Sequence, residues 1–156
     1  MPATARKDKK ESSPKELAEI LHVLDSLDQT HRARDAAGIM SHYAKDAVVF
    51  DLSPPLRSRI ATSRENIQAW LDTWDGPIEL EPRDFKFNVA GDMAYGFGYL
   101  RMAGRPKLAG ETVDFWMRAS FGLRRDGAVW QIIHEHTSVP FYMDGSLRPA
   151  FDLSPP

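Results

Sequence analysis

The sequence predicts an α+β domain in which helices cover one face of a curved sheet. Between Leu17 and Leu27, apolar residues recur at three- and four-residue spacings, which is typical of one face of an amphipathic helix, and two shorter helical segments follow. From Ile78 onward, the chain consists of long alternating runs separated by turn signals such as Asp126–Gly127. The predicted order is therefore helix, helix, strand, helix and then four long strands.

Capping residues indicate where each helix begins. Ser13 and Pro14 suit the cap and the first helical residue of the first helix. Asp35 is placed to cap a second, short helix, which we expect to run as far as Tyr43. A Thr-Ser pair ending at Ser63 precedes the third helix, which we expect to stop before a Gly-Pro pair.

The strands follow from β-branched and alternating residues. The run AVVFD, closed by Ser-Pro-Pro, predicts a first strand that ends at about Leu52. The four later strands are residues 78–90 and the runs MAYGFGYLRMA, TVDFWMRASFGLRR and VWQIIHEHTSV. The paired glycines within MAYGFGYLRMA allow that strand to bend.

Composition excludes several classes of function. A chain of 156 residues favours one domain, and its net charge of −2 gives no reason to expect binding to nucleic acid or to an acidic membrane surface. The absence of Cys excludes disulfides and thiolate sites. The sequence contains neither an apolar run of membrane-spanning length nor a secretion signal, so we expect a soluble, cytoplasmic protein.

The two ends of the chain differ in character. Residues 1–14 are basic and nearly free of apolar residues, which predicts a solvated tail. Residues 142–156 contain the apolar residues Leu147, Phe151 and Leu153, so we expect this second tail to pack on the domain or across a dimer partner. Its last six residues repeat the FDLSPP of residues 50–55, but the flanking residues do not match, which excludes a duplicated domain. One hypothesis is that both copies adopt similar extended shapes and that the second docks near the first.

The segments YAKDAVVFD and RRDGAVWQIIHEHTSVPF, together with a helix that ends in Trp, resemble the SnoaL-like branch of the nuclear transport factor 2-like (NTF2-like) superfamily. The resemblance covers residues 15–141. It implies a sheet wrapped into a cone, with three N-terminal helices covering it and an apolar cavity that binds or transforms a small molecule. It also implies that the protein forms a homodimer.

Asp51 is the first candidate for a catalytic residue. It falls at the end of the first strand, where the ketosteroid isomerase branch of the superfamily carries its proton-abstracting Asp, so the resemblance implies a general base. A carboxylate at the edge of an apolar cavity has a raised pKa, which suits this role. The alternative is that Asp51 only caps the following turn.

The isomerase comparison fails at two other positions. The oxyanion-stabilising Tyr of that branch would fall near Leu27 and its protonated Asp near Ala119, and neither replacement can donate a hydrogen bond. Because an enolate would lack these donors, steroid isomerisation is not the expected activity.

His134 and His136 are the second candidates. In an extended strand they share a face with Trp130 and Ile132, so both imidazoles would look into the cavity if that face lines it. They could serve as acid and base, contact a ligand or be structural. Two His supply only part of a coordination shell, and no metal site is predicted.

The register of the last hairpin decides which other residues would contact a ligand. A two-residue Asp126–Gly127 turn places Ala119 opposite His134 and Met117 opposite His136. Arg118 would then face Glu135 on the outside of the sheet. A bulge would shift the strand by one residue and turn Trp116 and Arg118 into the cavity instead. Phe97 lies on an alternating aromatic strand that could also line the cavity.

The sequence therefore predicts a domain that holds a small, apolar organic molecule. One hypothesis is an isomerase, hydratase, hydrolase or cyclase without a cofactor, in which Asp51 is the base and His136, with His134, the acid or orienting partner. The other hypothesis is a ligand carrier or dimerisation module of the same fold that does no chemistry.

Overall fold

The computed structural model describes residues 12–156, and within them the helices follow the predicted order. The helices are α1 (Pro14–Arg32), α2 (Ala36–Ser41) and α3 (Arg64–Leu71), with a 3₁₀ turn at Ile60–Thr62. The tail expected at residues 1–14 lies outside the described residues except for its last three, of which Ser13 and Pro14 cap and begin α1. None of the helices in residues 12–156 is long and apolar enough to cross a membrane.

The strands form one mixed sheet. They are β1 (Tyr43–Phe50), β2 (Glu79–Ala90), β3 (Met93–Gly104), β4 (Val113–Asp126) and β5 (Val129–Ser138). Their order is β1-β5-β4-β3-β2, in which β1 runs parallel to β5 and the other neighbours are antiparallel. The predicted α+β class is confirmed. The second helix is shorter than expected, because Tyr43 already begins β1.

Helix α1 begins with a capping box. Ser13 Oγ accepts a hydrogen bond from the Glu16 N–H at 3.2 Å, and the Glu16 carboxylate accepts one from the Ser13 N–H at 3.1 Å. The buried face of the helix consists of Ile20, Leu24, Leu27 and His31. The apolar spacing noted in the sequence thus packs against the core, and one further turn brings a histidine to the same face.

Two glycines of β3 make room for aromatic rings of β2. A Cβ added at Gly96 would lie 2.2 Å from Cδ1 of Phe87, and one added at Gly98 would lie 2.7 Å from Cγ of Phe85. Both rings pack against the buried core on the side of the sheet that the helices cover. These glycines therefore allow close side-chain packing across the β2–β3 pair.

The turn between β4 and β5 differs from the predicted one. Asp126 pairs with Val129, so the two connecting residues are Gly127 and Ala128. Gly127 has a φ of 61°, which is the left-handed conformation that glycine adopts readily. The predicted Asp-Gly turn is thus displaced by one residue.

A second shift occurs within the hairpin. Leu123 pairs with Ile132, but its neighbour Gly122 pairs with His134, so Ile133 is an extra residue in β5. A bulge of this kind reverses which side chains face the core beyond it, because successive side chains in a strand point to opposite faces.

The predicted register is therefore wrong. Beyond the bulge, Ala119 pairs with Thr137, and Arg118 pairs with Ser138 rather than facing Glu135. Glu135 and Thr137 consequently lie on the inner face that Ile132 occupies before the bulge. The alternative considered in the sequence would have turned Trp116 and Arg118 of β4 inward. The bulge lies in β5 instead and turns Glu135 and Thr137 inward.

The C-terminal tail folds back on the domain. Phe141 and Pro149 form an isolated bridge, and the Ala150 N–H donates to the Pro140 carbonyl at 2.8 Å. The ring of Phe151 then packs against Phe115, with 4.6 Å between the ring centroids. The tail thus contacts the start of β4.

The two FDLSPP copies make different contacts. In the first copy, Phe50 packs against His134 and His136. In the second copy, Phe151 packs against Phe115, and Asp152 accepts a hydrogen bond from the Tyr142 hydroxyl at 2.7 Å. The two identical sequences are therefore held by different neighbouring residues.

Candidate functional site

The helices and the inner face of the sheet enclose a cavity of about 80 Å³. A single water needs roughly 10–15 Å³ by the same kind of measure, so the cavity has room for a small organic molecule. Its aliphatic and thioether walls include Ile39, Val49, Ile67, Leu80, Met102 and Met117. Its polar lining consists of His31, Tyr43, Asp51, Glu135 and Thr137.

Glu135 and Tyr43 form a hydrogen-bonded pair on the cavity wall. The Tyr43 hydroxyl donates to Glu135 Oε2 at 2.5 Å. Burial raises the pKa of Glu135 to about 7, the nearby Asp51 charge adds to this rise, and the Tyr43 hydrogen bond opposes it. Burial also raises the pKa of Tyr43 well above its ordinary value, so the phenol keeps its proton. Glu135 can therefore gain or lose a proton near neutral pH.

Asp51 lies just beyond the end of β1 and lines the same cavity. The parallel pairing of Val49 with Glu135 brings this strand end beside the Glu135 carboxyl. The side chain has solvent access, and partial desolvation raises the pKa of Asp51, whereas the Leu52 N–H, 2.7 Å from Oδ1, opposes the rise. Asp51 thus both faces the cavity and binds the backbone that follows it.

His31 supplies a neutral imidazole from α1. Its Nδ1 lies 2.8 Å from the carbonyl oxygen of Leu27, which can only accept, so Nδ1 carries the proton. Burial lowers the pKa of His31 to about 4. The ring packs edge-on against Trp70 at 5.8 Å between centroids. His31 is therefore uncharged at neutral pH, with a lone pair on Nε2.

The predicted histidines do not reach this cavity. Because of the bulge in β5, His134 and His136 lie on the opposite face of the sheet from Glu135. There they pack edge-on against Phe50, at 4.9 and 5.6 Å between ring centroids. His134 Nδ1 also donates to the Val48 carbonyl at 2.8 Å. The expectation that both imidazoles face the cavity beside Asp51 is wrong.

The predicted ligand contacts divide among three locations. Met117 lines the cavity, as expected from the first of the two registers. Trp130, Ile132 and Ala119 are buried in the core but do not belong to the cavity lining. The remaining predicted contacts, Phe97, Trp116 and Arg118, do not line the cavity either.

Those three residues have partners elsewhere. Trp116 packs under the Arg83 guanidinium, whose Cζ lies 5.4 Å from the ring centroid. Arg118 Nε donates to Ser138 Oγ at 3.2 Å. Phe97 is 48 % exposed on the outer face of the sheet, where its ring lies 6.2 Å from that of Tyr95, and it lines a second pocket together with Arg118.

Sequence reasoning missed His31, Tyr43 and Glu135. A signal for His31 was present, since it continues the apolar spacing of α1 four residues after Leu27. Tyr43 was assigned to a helix, and Glu135 to the outer face. No local sequence signal marks the bulge at Ile133 that turns Glu135 inward. Leu27 and Ala119 are buried and apolar, but Tyr43 and Thr137 bring hydroxyl groups to the cavity from other positions.

Within residues 12–156, no group of three or more His, Asp or Glu side chains is close enough together to hold a metal ion. The carboxyls of Asp51 and Glu135 and the imidazole of His31 share the cavity wall but do not form such a group.

A model of the SnoaL-like domain family matches residues 20–142. The chain belongs to the SnoaL-like family. This SnoaL-like protein is also similar to an NTF2-like protein of unknown function from Pseudomonas putida KT2440, with 32 % sequence identity over 92 % of this chain and 99 % of that chain and a TM-score of 0.77. The resemblance found in the sequence is thus confirmed. The chain matches no curated protein.

More distant structures share the fold alone. A protein from Streptomyces avermitilis, provisionally named a dehydratase of the NTF2-like family, is 14 % identical over 81 % of this chain and 97 % of that chain, with a TM-score of 0.68. A protein from Novosphingobium aromaticivorans, provisionally named an aromatic ring hydroxylase, is 16 % identical over 82 % and 91 %, with a TM-score of 0.67. The SnoaL-like scaffold thus occurs in proteins assigned to different reactions.

Proposed function

We propose that this SnoaL-like protein catalyses proton transfer on a small, largely apolar organic molecule bound in the cavity. The observation that carries the proposal is the Glu135–Tyr43 pair, a buried carboxyl with a pKa of about 7, beside the second carboxyl of Asp51. Two carboxyls in different environments are a recurring arrangement for acid and base catalysis. The provisional dehydratase name of the Streptomyces neighbour is compatible with this reaction class.

Asp51 and Glu135 take complementary roles in this proposal. Asp51 has solvent access and accepts one backbone N–H, so it is the base. Glu135 is deeper in the protein, and its pKa of about 7 leaves it partly protonated at neutral pH, so it is the acid. Tyr43 positions Glu135 by donating to Oε2, which leaves the other carboxyl oxygen for the substrate.

The simplest reaction of this kind is the enolisation of a ketone. The carbon–hydrogen bond beside the carbonyl breaks, its proton moves to Asp51, and its electron pair forms the new carbon–carbon double bond. At the same time, Glu135 gives its proton to the carbonyl oxygen. Return of the protons to other positions isomerises the substrate. Alternatively, a hydroxyl on the next carbon takes the proton from Asp51 and leaves as water while the enol returns its proton to Glu135, which dehydrates the substrate. Neither step needs a redox cofactor.

Deuterium exchange tests this chemistry without knowledge of the natural substrate. Acetone, cyclopentanone and cyclohexanone are incubated with the protein in D₂O, and the loss of their α-proton signals is followed by NMR. We expect at least one ketone to exchange faster than in buffer. Asp51→Asn and Glu135→Gln should each slow that exchange by about 100-fold, the usual contribution of a general acid or base.

Glu111→Gln is the matched control, because Glu111 is exposed in the loop between β3 and β4. It should exchange the ketone as fast as the wild-type protein. Proton-transfer catalysis by this site is ruled out if folded Glu135→Gln and Asp51→Asn proteins retain the wild-type rate.

A binding module without catalysis is the second candidate. It is favoured by one observation, the hydrogen bond from the Leu52 N–H to Asp51 Oδ1, which is also what a purely structural turn residue would make. Native mass spectrometry would then find a retained organic molecule, while every ketone would exchange at the buffer rate.

We also propose that the protein is a cytoplasmic homodimer that associates through the outer face of the sheet. This face exposes large apolar side chains, namely Met93, Tyr95 and Phe97 along β3 and Phe50 on the edge strand β1. A second copy would cover them. Sedimentation of the wild-type protein and of Phe97→Asp tests the interface, and cell fractionation tests the location. A monomeric wild-type protein would contradict the interface.

A further inference from the structure

No positively charged side chain from residues 12–156 lines the cavity. Its lining includes the carboxyls of Asp51 and Glu135 but neither Lys nor Arg. An anionic ligand would meet like charges in a partly desolvated space with no cation to offset them. The lining therefore selects against carboxylates, phosphates and sulfates.

His31 offers an unused hydrogen-bond acceptor to the cavity. Its Nδ1–H points back to the Leu27 carbonyl, which leaves Nε2 on the opposite edge of the ring. Among the residues that the structure describes, Nε2 has no hydrogen-bond partner, and Trp130 Nε1 is the sole fully buried side-chain polar atom without one. Nε2 therefore retains some accessible surface, and His31 lines the cavity. A ligand that carries a donor can satisfy it.

The other polar groups of the cavity are also largely acceptors. Glu135 Oε2 already accepts the Tyr43 proton, and Asp51 Oδ1 already accepts the Leu52 N–H, so each carboxyl has one further oxygen to offer. The only proton of the Tyr43 hydroxyl is already in the hydrogen bond to Glu135. A well-matched ligand therefore brings a hydrogen-bond donor for His31 Nε2, while its acceptors can take the protons of Glu135 and Thr137.

We propose that the cavity binds an uncharged hydroxyl compound of phenol size, whose hydroxyl donates to His31 Nε2. His31 is then a specificity-determining residue, and Trp70 beside it supplies an aromatic wall for the ring of the ligand. The inference rests on the proposed function only in placing the ligand in the same cavity, since binding at His31 requires no proton transfer by Glu135.

An organic cation fits the cavity less well than a neutral alcohol. Burial around His31 already disfavours a positive charge, because it lowers the pKa of that imidazole to about 4 in spite of the nearby Asp28 carboxylate. An ammonium group at Nε2 would face the same desolvation. A hydroxyl supplies the donor without the charge.

Four probes that differ in one group test the proposal. They are p-cresol, p-methylanisole, p-toluate and p-methylbenzylamine, and each is titrated into the full-length protein while backbone amide and imidazole ¹⁵N signals are recorded. We expect p-cresol to bind about fivefold to tenfold more tightly than p-methylanisole, the usual effect of one hydrogen bond. The His31 Nε2 signal should shift with p-cresol only.

His31→Phe removes the acceptor and keeps an aromatic ring. In this variant, p-cresol and p-methylanisole should bind with nearly equal affinity. His22→Phe is the matched control, because His22 is exposed on the same helix, and it should retain the preference. If His31→Phe does not fold, the test rests on the wild-type protein, through its preference for p-cresol over p-methylanisole and the shift of its His31 Nε2 signal.

Three results would overturn the inference: equal affinity for p-cresol and p-methylanisole in the wild-type protein, tighter binding of p-toluate or p-methylbenzylamine, or no binding of p-cresol up to its solubility limit. Deuterium exchange separates this failure from that of the proposed function. If ketone exchange depends on Glu135 but p-cresol is not preferred, only the hydroxyl recognition fails. If p-cresol is preferred but no ketone exchanges faster than in buffer, only the proton transfer fails.

Discussion

Glu135 Oε2 in β5 accepts a hydrogen bond from the Tyr43 hydroxyl in β1, with 2.5 Å between the two oxygens. This contact links two parallel neighbouring strands inside the cavity. It forms because the extra residue Ile133 turns Glu135 away from the outer face of the sheet. Burial then raises the pKa of Glu135 to about 7. The protonation state of Glu135 and its contribution to the stability of the fold consequently change over the same pH range, between about 4.5 and 7.

Glu135 should make the free energy of unfolding fall as the pH rises from about 4.5 to about 7, whereas His31 acts in the opposite direction between about pH 4 and 6.5. Glu135 holds its proton up to about pH 7 in the folded chain, but its ordinary pKa is 4.5, so the folded state binds more protons between these values. Its contribution is complete below pH 4.5 and lost above about pH 7, and amounts to at most ~3 kcal/mol. Urea unfolding at several pH values measures it.

Glu135→Gln isolates this contribution, because it removes the titrating group and keeps the shape of the side chain. The difference in unfolding free energy between this variant and the wild-type protein should vary with pH only in that range. Glu111→Gln, in an exposed loop, should follow the wild-type curve. A constant difference between Glu135→Gln and the wild type from pH 4.5 to 7 would contradict the raised pKa.

Two substitutions should move the pKa of Glu135 in opposite directions. Tyr43→Phe removes the hydrogen bond that favours the carboxylate, so the pKa should rise above about 7. Asp51→Asn removes a negative charge that disfavours the carboxylate, so the pKa should fall below about 7. Titration of ¹³C-labelled Glu carboxyls by NMR distinguishes the two. Shifts of the same sign would show that Asp51 and Tyr43 do not act on Glu135 as described.

The His31 imidazole should remain neutral down to a pH of about 4. Burial is the largest cause of its lowered pKa, and the hydrogen bond to the Leu27 carbonyl opposes it only in part. Because the folded state binds fewer protons than the unfolded state between pH 4 and 6.5, His31 lowers stability as the pH falls through this range. Imidazole ¹⁵N shifts should report one Nδ1–H tautomer at all higher pH values. A midpoint near 6.5 would contradict this.

The elements of this fold could be predicted because their signals are local. Caps such as Ser13 and Ser63 and the apolar spacing of α1 act within a few residues, and the structure places them as expected. Asp51 was also located correctly at the end of the first strand, since a strand followed by Ser-Pro-Pro has few alternatives.

The polar residues of the cavity could not be predicted in the same way. Whether His134 or Glu135 faces inward depends on the pairing between strands, and one extra residue reverses the answer. The HEH segment carries polar side chains on both faces, so its hydrophobic pattern does not fix the register. Tyr43 lies close behind a short helix, and only a residue of β1 can pair with β5. Placing the helix–strand boundary after Tyr43 therefore removed it from the predicted cavity.

Gly96→Ala should destabilise the protein by about 1–3 kcal/mol, the usual cost of overpacking a core. The new Cβ would lie 2.2 Å from the ring of Phe87, and neither β2 nor β3 can move without disturbing their pairing. Gly122→Ala is the matched control in β4, since the nearest atom to its Cβ is 3.5 Å away. Urea unfolding of both variants gives the comparison.

A double-mutant cycle assigns that cost to one contact. In a Phe87→Ala background, Gly96→Ala should cost little, because the ring that it meets is gone. An equal cost in both backgrounds would instead point to the backbone of Gly96 and away from the Phe87 ring.

Arg34→Ala should destabilise the protein by about 2 kcal/mol. The guanidinium of Arg34 donates to three backbone carbonyls, at 2.8 Å to Leu71, the last residue of α3, and at 3.2 Å to Trp74 and 2.7 Å to Gly76 beyond it. Hydrogen bonds from a charged donor contribute more than neutral ones, and carbonyls at the end of a helix have no partner within it. Urea unfolding of Arg34→Ala and of the exposed control Arg57→Ala measures the difference.

The planar fork of Arg34, rather than its charge, should account for most of this stabilisation. Arg34→Lys keeps the charge but cannot reach three carbonyls at once, so it should recover less than half of the loss in Arg34→Ala. Raised salt should leave the ranking unchanged, since the acceptors are uncharged carbonyls. Full recovery by Lys would mean that the helix C-terminus needs only a nearby positive charge, and the three-point contact would then be incidental to stability.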